Sequence, residues 1–232
     1  MRKTFIPALG LALLLAACQT APVSVGAGTV APSAPLPQPP AGAEHYSVDA
    51  AHSDVRFLVY KAGPLAAFGY NHVVRAHGIQ GDVYLASDFS ASSFSLVLAV
   101  KDFGVDAPEE RAVEGPDFAP KPSPQAVAGT VEHMLGPEEL DAEHYPEVRI
   151  QSVKLTGPDW GPDVTLRVTL HGTARDLTVP IAVSRQGDDL VATGSFQILQ
   201  SEFGIKPHGV LGGGLQVGDL VRVRFRILAH KA

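Results

Sequence analysis

The chain reads as an all-β barrel of about eight antiparallel strands with one short helical insertion. Two observations point there. From Tyr46 onward, apolar residues recur at every second position in stretch after stretch, the period of a half-buried strand, and short turns join most of the stretches. Only between Gly104 and Pro146 does the alternation stop.

Taken in order, Val55, Phe57 and Val59 alternate with Arg56, Leu58 and Tyr60 in the first strand. The second runs from His72 to Leu85, and Gly78 and Gly81 inside it predict bends or a bulge. Phe94, Leu96, Leu98 and Val100 alternate with Ser93, Ser95, Val97 and Ala99 in the third. Val148 to Leu155 is the fourth, and Val164, Leu166, Val168 and Leu170 mark the fifth. Leu177, Val179, Ile181 and Val183 form the sixth; Leu190, Ala192, Phe196 and Ile198 form the seventh. Gly187-Asp188-Asp189 between these two is a hairpin signal. The last strand is the clearest, with Val221, Val223, Phe225 and Ile227 set against Arg222, Arg224 and Arg226.

In the break, Val127, Val131, Met134 and Leu135 share one helical face, ended by Gly136 and Pro137. Pro137-Glu138-Glu139 predicts the start of a second short helix, with proline in its first turn and acids at its positive end. Val105 to Pro124 is a long Pro-rich excursion, read as a lid, a binding loop or a loose segment. Closure into a barrel is favoured because it removes exposed strand edges. A two-sheet sandwich is the alternative, which periodicity alone does not separate from it. An eight-stranded barrel has room inside for its own side chains or for one small ligand.

Ahead of the strands lie two further regions. Residues 1–17 read as a signal peptide: Arg2 and Lys3 supply the positive end, Phe5 to Leu15 the apolar stretch, and small residues follow. That stretch is shorter than the about 20 residues needed to cross a bilayer. Leu15-Ala16-Ala17-Cys18 resembles the lipobox of bacterial lipoproteins, which implies that Cys18 is acylated and becomes the mature N-terminus. By the same resemblance, Gln19 points to the outer membrane. Residues 18–44 then form a tether, nearly all Ala, Pro, Gly, Val, Ser and Gln from 19 to 43, a composition that buries no face and predicts disorder. The barrel domain spans 45–232.

The chain carries a net charge of −6, and residues 1–17 hold two basic and no acidic residues, so cleavage takes it to −8. With no basic tract, nucleic acid is excluded as a partner. The single cysteine, Cys18, leaves no disulfide, so stability rests on an apolar core, for which an apolar content of 45% suffices.

Catalytic and metal signatures are weak. Nine His residues raise the alternative of a His-liganded metal or haem protein in envelope redox or stress defence. His72 and His77 fall on opposite faces of a strand; no His-Glu-x-x-His or Cys-x-x-Cys occurs, so a site needs distant partners such as His72 with His133. There is no Gly-x-Ser-x-Gly, and the serines 92, 93 and 95 have no adjacent base. Gly212-Gly213-Gly214 lacks the Lys-Ser/Thr ending of a phosphate loop. The expectation is a protein without catalytic residues, metal or cofactor.

Several stretches, in order, resemble the YceI-like lipid/polyisoprenoid-binding family. They are Tyr46 to Phe57, Phe68-Gly69-Tyr70-Asn71-His72, Met134 to Val148, Leu170 to Asp176 and Phe196 to Ile205. Gln200 stands where the family's more familiar pattern has arginine. The resemblance covers residues 46–231 and implies a lipocalin-like barrel of eight antiparallel strands with a helical insertion, holding a long isoprenoid or other amphiphile. The expected function is binding or transport of an apolar-tailed molecule, such as an isoprenoid, quinone or fatty acyl chain, in the cell envelope. On the inward register of the strands, the lining should include Phe57, Val59, Leu96, Leu98, Val168, Leu170, Phe196, Val223 and Phe225. Arg56, Tyr60 and His72 are candidate head-group contacts, and Leu135, Leu140 and Tyr145 a candidate lid.

Overall fold

The computed structural model describes residues 39–232; the expected signal segment, Cys18 and the expected tether up to residue 38 lie outside them. Twelve strands occur among the described residues: β1 (Glu44–Val48), β2 (Asp54–Ala62), β3 (His72–Ala76), β4 (Gln80–Leu85), β5 (Ser93–Ala99), β6 (Phe103–Val105), β7 (Glu147–Thr156), β8 (Asp163–Leu170), β9 (Thr173–Gln186), β10 (Asp189–Leu199), β11 (Gly209–Val210) and β12 (Leu215–Lys231). Two α-helices, α1 (Pro108–Ala112) and α2 (Pro124–Leu135), lie between β6 and β7.

Eight of the strands close a ring in the order β1-β4-β5-β7-β8-β9-β10-β12, and β12 returns to β1 through the pairs Tyr46–Lys231 to Val48–Ala229. Every pairing is antiparallel. The molecule is thus a barrel and not a sandwich. On the edge of β12 that ends at β1, β2 pairs with residues Gln216 to Arg226, and β3 and β6 follow it outward. The long last strand therefore serves two neighbours on one edge. Its alternation carries the logic of the whole wall: Val221, Val223, Ile227 and Ala229 are buried, while Arg222, Arg224 and Arg226 face solvent.

Three expectations are corrected. The single strand from His72 to Leu85 is two strands, because the chain turns at Gly78, whose φ of +63° is left-handed and suits a residue without Cβ. The turn lets β3 pair with β2 while β4 pairs with β1. Gly81 answers a different need: a Cβ there would lie 2.3 Å from the Ser95 carbonyl oxygen across the β4–β5 pair. The second helix at Pro137-Glu138-Glu139 is a set of turns instead. The amides of Leu140 and Ala142 fold back onto the carbonyls of Met134 and Leu135, capping α2 in place of starting a new helix.

The Pro-rich excursion, third, is neither loose nor a lid over the cavity. It is a pinned patch on the outside of β2, β3 and β12. Phe118 is buried against Leu58 and Val73, so the outward Leu58 has a core of its own. Glu110 pairs with Arg56 and Arg75, and Glu114 with Arg56 and Arg224. Arg111, itself buried, donates to the carbonyls of Asn71, Phe118 and Pro120 and to Asp106. These donors satisfy loop carbonyls that strand pairing leaves open.

Candidate ligand cavity

The barrel encloses a cavity of about 470 Å³, within the usual range of small-molecule sites. The inward registers of the long strands build its wall. Phe57 and Val59 come from β2, Leu96 and Leu98 from β5, and Val168 and Leu170 from β8. Phe196 comes from β10, and Val223 and Phe225 from β12, so the structure places all nine predicted lining residues on the wall. The aromatic rings of Phe196 and Phe225 meet edge-on with centroids 6.3 Å apart, and Phe57 tilts against Phe103 at 5.4 Å.

Exposed residues of the lining mark where the cavity reaches solvent. Phe68 belongs to the cavity lining yet is 79% exposed, and Val210 on β11 is 43% exposed. Tyr70 and the exposed His133 share this rim. The cavity lining thus includes apolar side chains that reach solvent.

Of the other predicted residues, His72 and Leu140 lie on the wall, while Tyr60 only borders it: its ring packs edge-on against Phe118 in the outer patch, 5.5 Å between centroids. Arg56 is off the wall. It stands on the outer face, paired with Asp54, Glu110 and Glu114, because it occupies the opposite parity of β2 from Phe57. Leu135 packs against the core without reaching the cavity. Tyr145 is also off the wall: its ring packs edge-on against His171, 4.6 Å between centroids, and covers Gly172, where a Cβ would lie 2.5 Å from Tyr145 Cε1. Neither Leu135 nor Tyr145 forms a lid.

Polar groups on the wall are few. His72 Nδ1 donates to Oδ2 of Asp106 at 2.6 Å, and Oδ1 accepts from the Val73 amide and from Arg111. Burial alone would raise the Asp106 carboxyl, but these donors outweigh it and hold the group below the usual carboxylate range. Lys61 sends its amine to the Gly69 carbonyl at 3.0 Å, and Gln200 donates to the Gly218 carbonyl at 2.9 Å. The Gln200 amide thus satisfies the backbone where β12 shifts register between Val217 and Val221.

A second polar group sits at the mouth. Glu139 is buried, and its Oε1 has no hydrogen-bond partner. His208 Nδ1 lies 3.7 Å from that oxygen, and the His208 ring stacks on His133 with centroids 4.1 Å apart. Burial pushes the Glu139 carboxyl up, against the opposing pull of His133. Sequence reasoning passed over Glu139 and His208 as wall residues. Position 208 is too far from 133 and 139 in sequence for spacing to join the three. The suggested pairing of His72 with His133 does not form the site: His72 turns to Asp106 and His133 to His208. Among the described residues, no three or more His, Cys, Asp or Glu gather as metal ligands, and no helix is long and apolar enough to cross a membrane.

Comparison with known proteins accords with this architecture. The model of the YceI-like domain family matches residues 46–229. The chain is similar to the crystal structure of BcnA from Burkholderia cenocepacia, with a TM-score of 0.58 at 18% identity over 78% of this chain and 98% of that one. It is also similar to a polyisoprenoid binding domain from Saccharophagus degradans implicated in plant cell wall breakdown. There the TM-score is 0.55 at 13% identity, covering 81% of this chain and 98% of that one. No curated protein matches the chain. The matched span takes in the ring, the helical insertion and the cavity wall, and the chain belongs to the YceI-like domain family.

Proposed function

We propose that this protein binds the apolar tail of an amphiphile, an isoprenoid, quinone or fatty acyl chain, inside its barrel and carries it in the bacterial cell envelope. The observation that carries the reading is the apolar cavity of about 470 Å³ running from a core of valines and leucines to an exposed aromatic rim. Water in such a space finds few partners, and a hydrocarbon tail replaces it favourably. A tail of ten buried methylenes gains on the order of 8 kcal/mol before association losses, so no ion pair is needed to hold it. The likeness to a polyisoprenoid binding domain supports the same class of guest. The role we assign is binding: the wall's His72, Lys61 and Gln200 are each engaged with the protein itself.

Acylation of Cys18 would anchor the mature chain to the outer membrane, facing the periplasm, with more than one acyl chain giving stable attachment. Purification of the full chain from membranes, followed by organic extraction and mass spectrometry, tests the binding. A stoichiometric molecule with a long apolar tail is expected; an empty extract together with no uptake of N-phenyl-naphthylamine would overturn it. Radiolabelled palmitate tests the anchor, since Cys18→Ala should abolish labelling and release the protein from the membrane fraction.

A further inference from the structure

We infer that Glu139, His133 and His208 form the polar end of the cavity, where they select an amphiphile with an uncharged hydroxyl or carbonyl head over one with a phosphate head. This rests on the reading that the barrel holds an apolar tail. Three observations carry it. The three side chains come from separate places, α2, the turns after it and the loop before β11, yet meet at the open end of one cavity. Glu139 is 9% exposed with an oxygen that no protein group satisfies, and His208 stops 3.7 Å short of it, beyond hydrogen-bonding range. A buried polar atom without a partner is costly, and a ligand group bridging that gap removes the cost.

The chemistry of the gap sets the head group. A carboxyl and an imidazole together offer both a donor and an acceptor, which a hydroxyl matches in either direction and a carbonyl in one. Burial pushes the Glu139 carboxyl toward its protonated, donating form. A phosphate needs permanent cations when it leaves water. The Lys61 amine on the wall is committed to the Gly69 carbonyl, and Arg111 is buried under Asp106 and three carbonyls. Imidazoles carry no permanent charge, and ionisation of Glu139 would repel the anion further.

Displacement of N-phenyl-naphthylamine from the full chain by geranylgeraniol and by geranylgeranyl phosphate at neutral pH tests this. The alcohol is expected to bind about tenfold tighter or more. Glu139→Gln, which keeps size and hydrogen bonding, should preserve the preference within about threefold; Glu139→Leu should weaken alcohol binding about tenfold and leave the phosphate no weaker. Thermal melts establish that both variants are folded. Equal displacement by the two probes, or an unchanged ratio in folded Glu139→Leu, overturns the head-group site while leaving tail binding intact. Displacement by neither overturns both.

Discussion

The imidazole of His72, on the cavity wall, is 2.6 Å from a carboxylate that has no exposed side-chain surface, that of Asp106. Asp106 holds a left-handed backbone, φ 56°, at the point where the chain leaves β6 for the excursion, and Arg111 binds the same carboxylate from behind. The cavity wall and the outer patch are thus joined through one buried acid.

That junction predicts a large effect of removing either partner. Arg111→Met would leave Asp106 buried beside three unsatisfied carbonyls and should destabilise the fold by about 3–5 kcal/mol in urea unfolding. In a double-mutant cycle with Asp106→Ala, the second substitution should cost much less than alone, because the charge it would strand is already gone. Additive losses would show that the two residues act separately.

Close approach at Gly81 predicts intolerance to any side chain. A Cβ at 2.3 Å from the Ser95 carbonyl forces β4 away from β5, so Gly81→Ala should lose about 1–3 kcal/mol. Gly129, where a Cβ meets nothing within 4 Å, is the control: Gly129→Ala in the middle of α2 should gain up to about 1 kcal/mol.

Ala192, a small wall residue on β10, predicts a change in capacity. Ala192→Phe adds a ring to the cavity and should shorten the longest tail the protein accepts, weakening binding of a twenty-carbon chain more than that of a ten-carbon one. A series of alkanols of increasing length read by dye displacement checks it. Equal loss at every length would mean that the new ring disturbs the barrel and not its depth.

The seam that closes the barrel predicts a pH dependence. His230, near the end of β12, bonds both Asp189 and Asp49, at 2.7 and 2.9 Å. Asp189 and then Asp49 raise the His230 value above its ordinary 6.5. His230 and His52 hold the Asp49 carboxyl far below its ordinary 3.8. The imidazole contribution is therefore complete below 6.5 and fades as pH rises through the raised value, while the carboxylate contribution is present above 3.8 and lost on strong acidification. The difference in Tm between the native chain and His230→Ala should be largest between about pH 4 and 6 and shrink above neutrality. A difference that grows with pH would contradict the arrangement.

Trp160, the sole tryptophan, is 71% exposed and absent from the cavity wall. Its emission should be that of a water-exposed indole and should hardly respond to an apolar guest. A strong blue shift on adding alkanol would place the guest elsewhere than in the barrel.

Local pattern carried the walls of this protein. Alternation along 164–170 and 221–227 told which side chains turn inward, because a strand's period of two is a property of the backbone, and so all nine predicted lining residues stand on the wall. The same rule, applied to Arg56, would have sent it outside, next to the inward Phe57. The helical face of Val127, Val131, Met134 and Leu135 was equally legible, since α2 spans it from a Ser123 cap. Short β1, β6 and β11 were not, as a few residues show no period.

Closure, partnership and emptiness came from the third dimension alone. Whether eight strands wrap into a ring depends on β12, at the end of the chain, returning to pair with β1 at its start, as Tyr46 does with Lys231. The burial of Arg111 on loop carbonyls, and the meeting of His133, Glu139 and His208, are set by how distant segments pack. Periodicity says which way a side chain points. Only packing says how far it reaches, and therefore whether the middle of the barrel is filled or hollow.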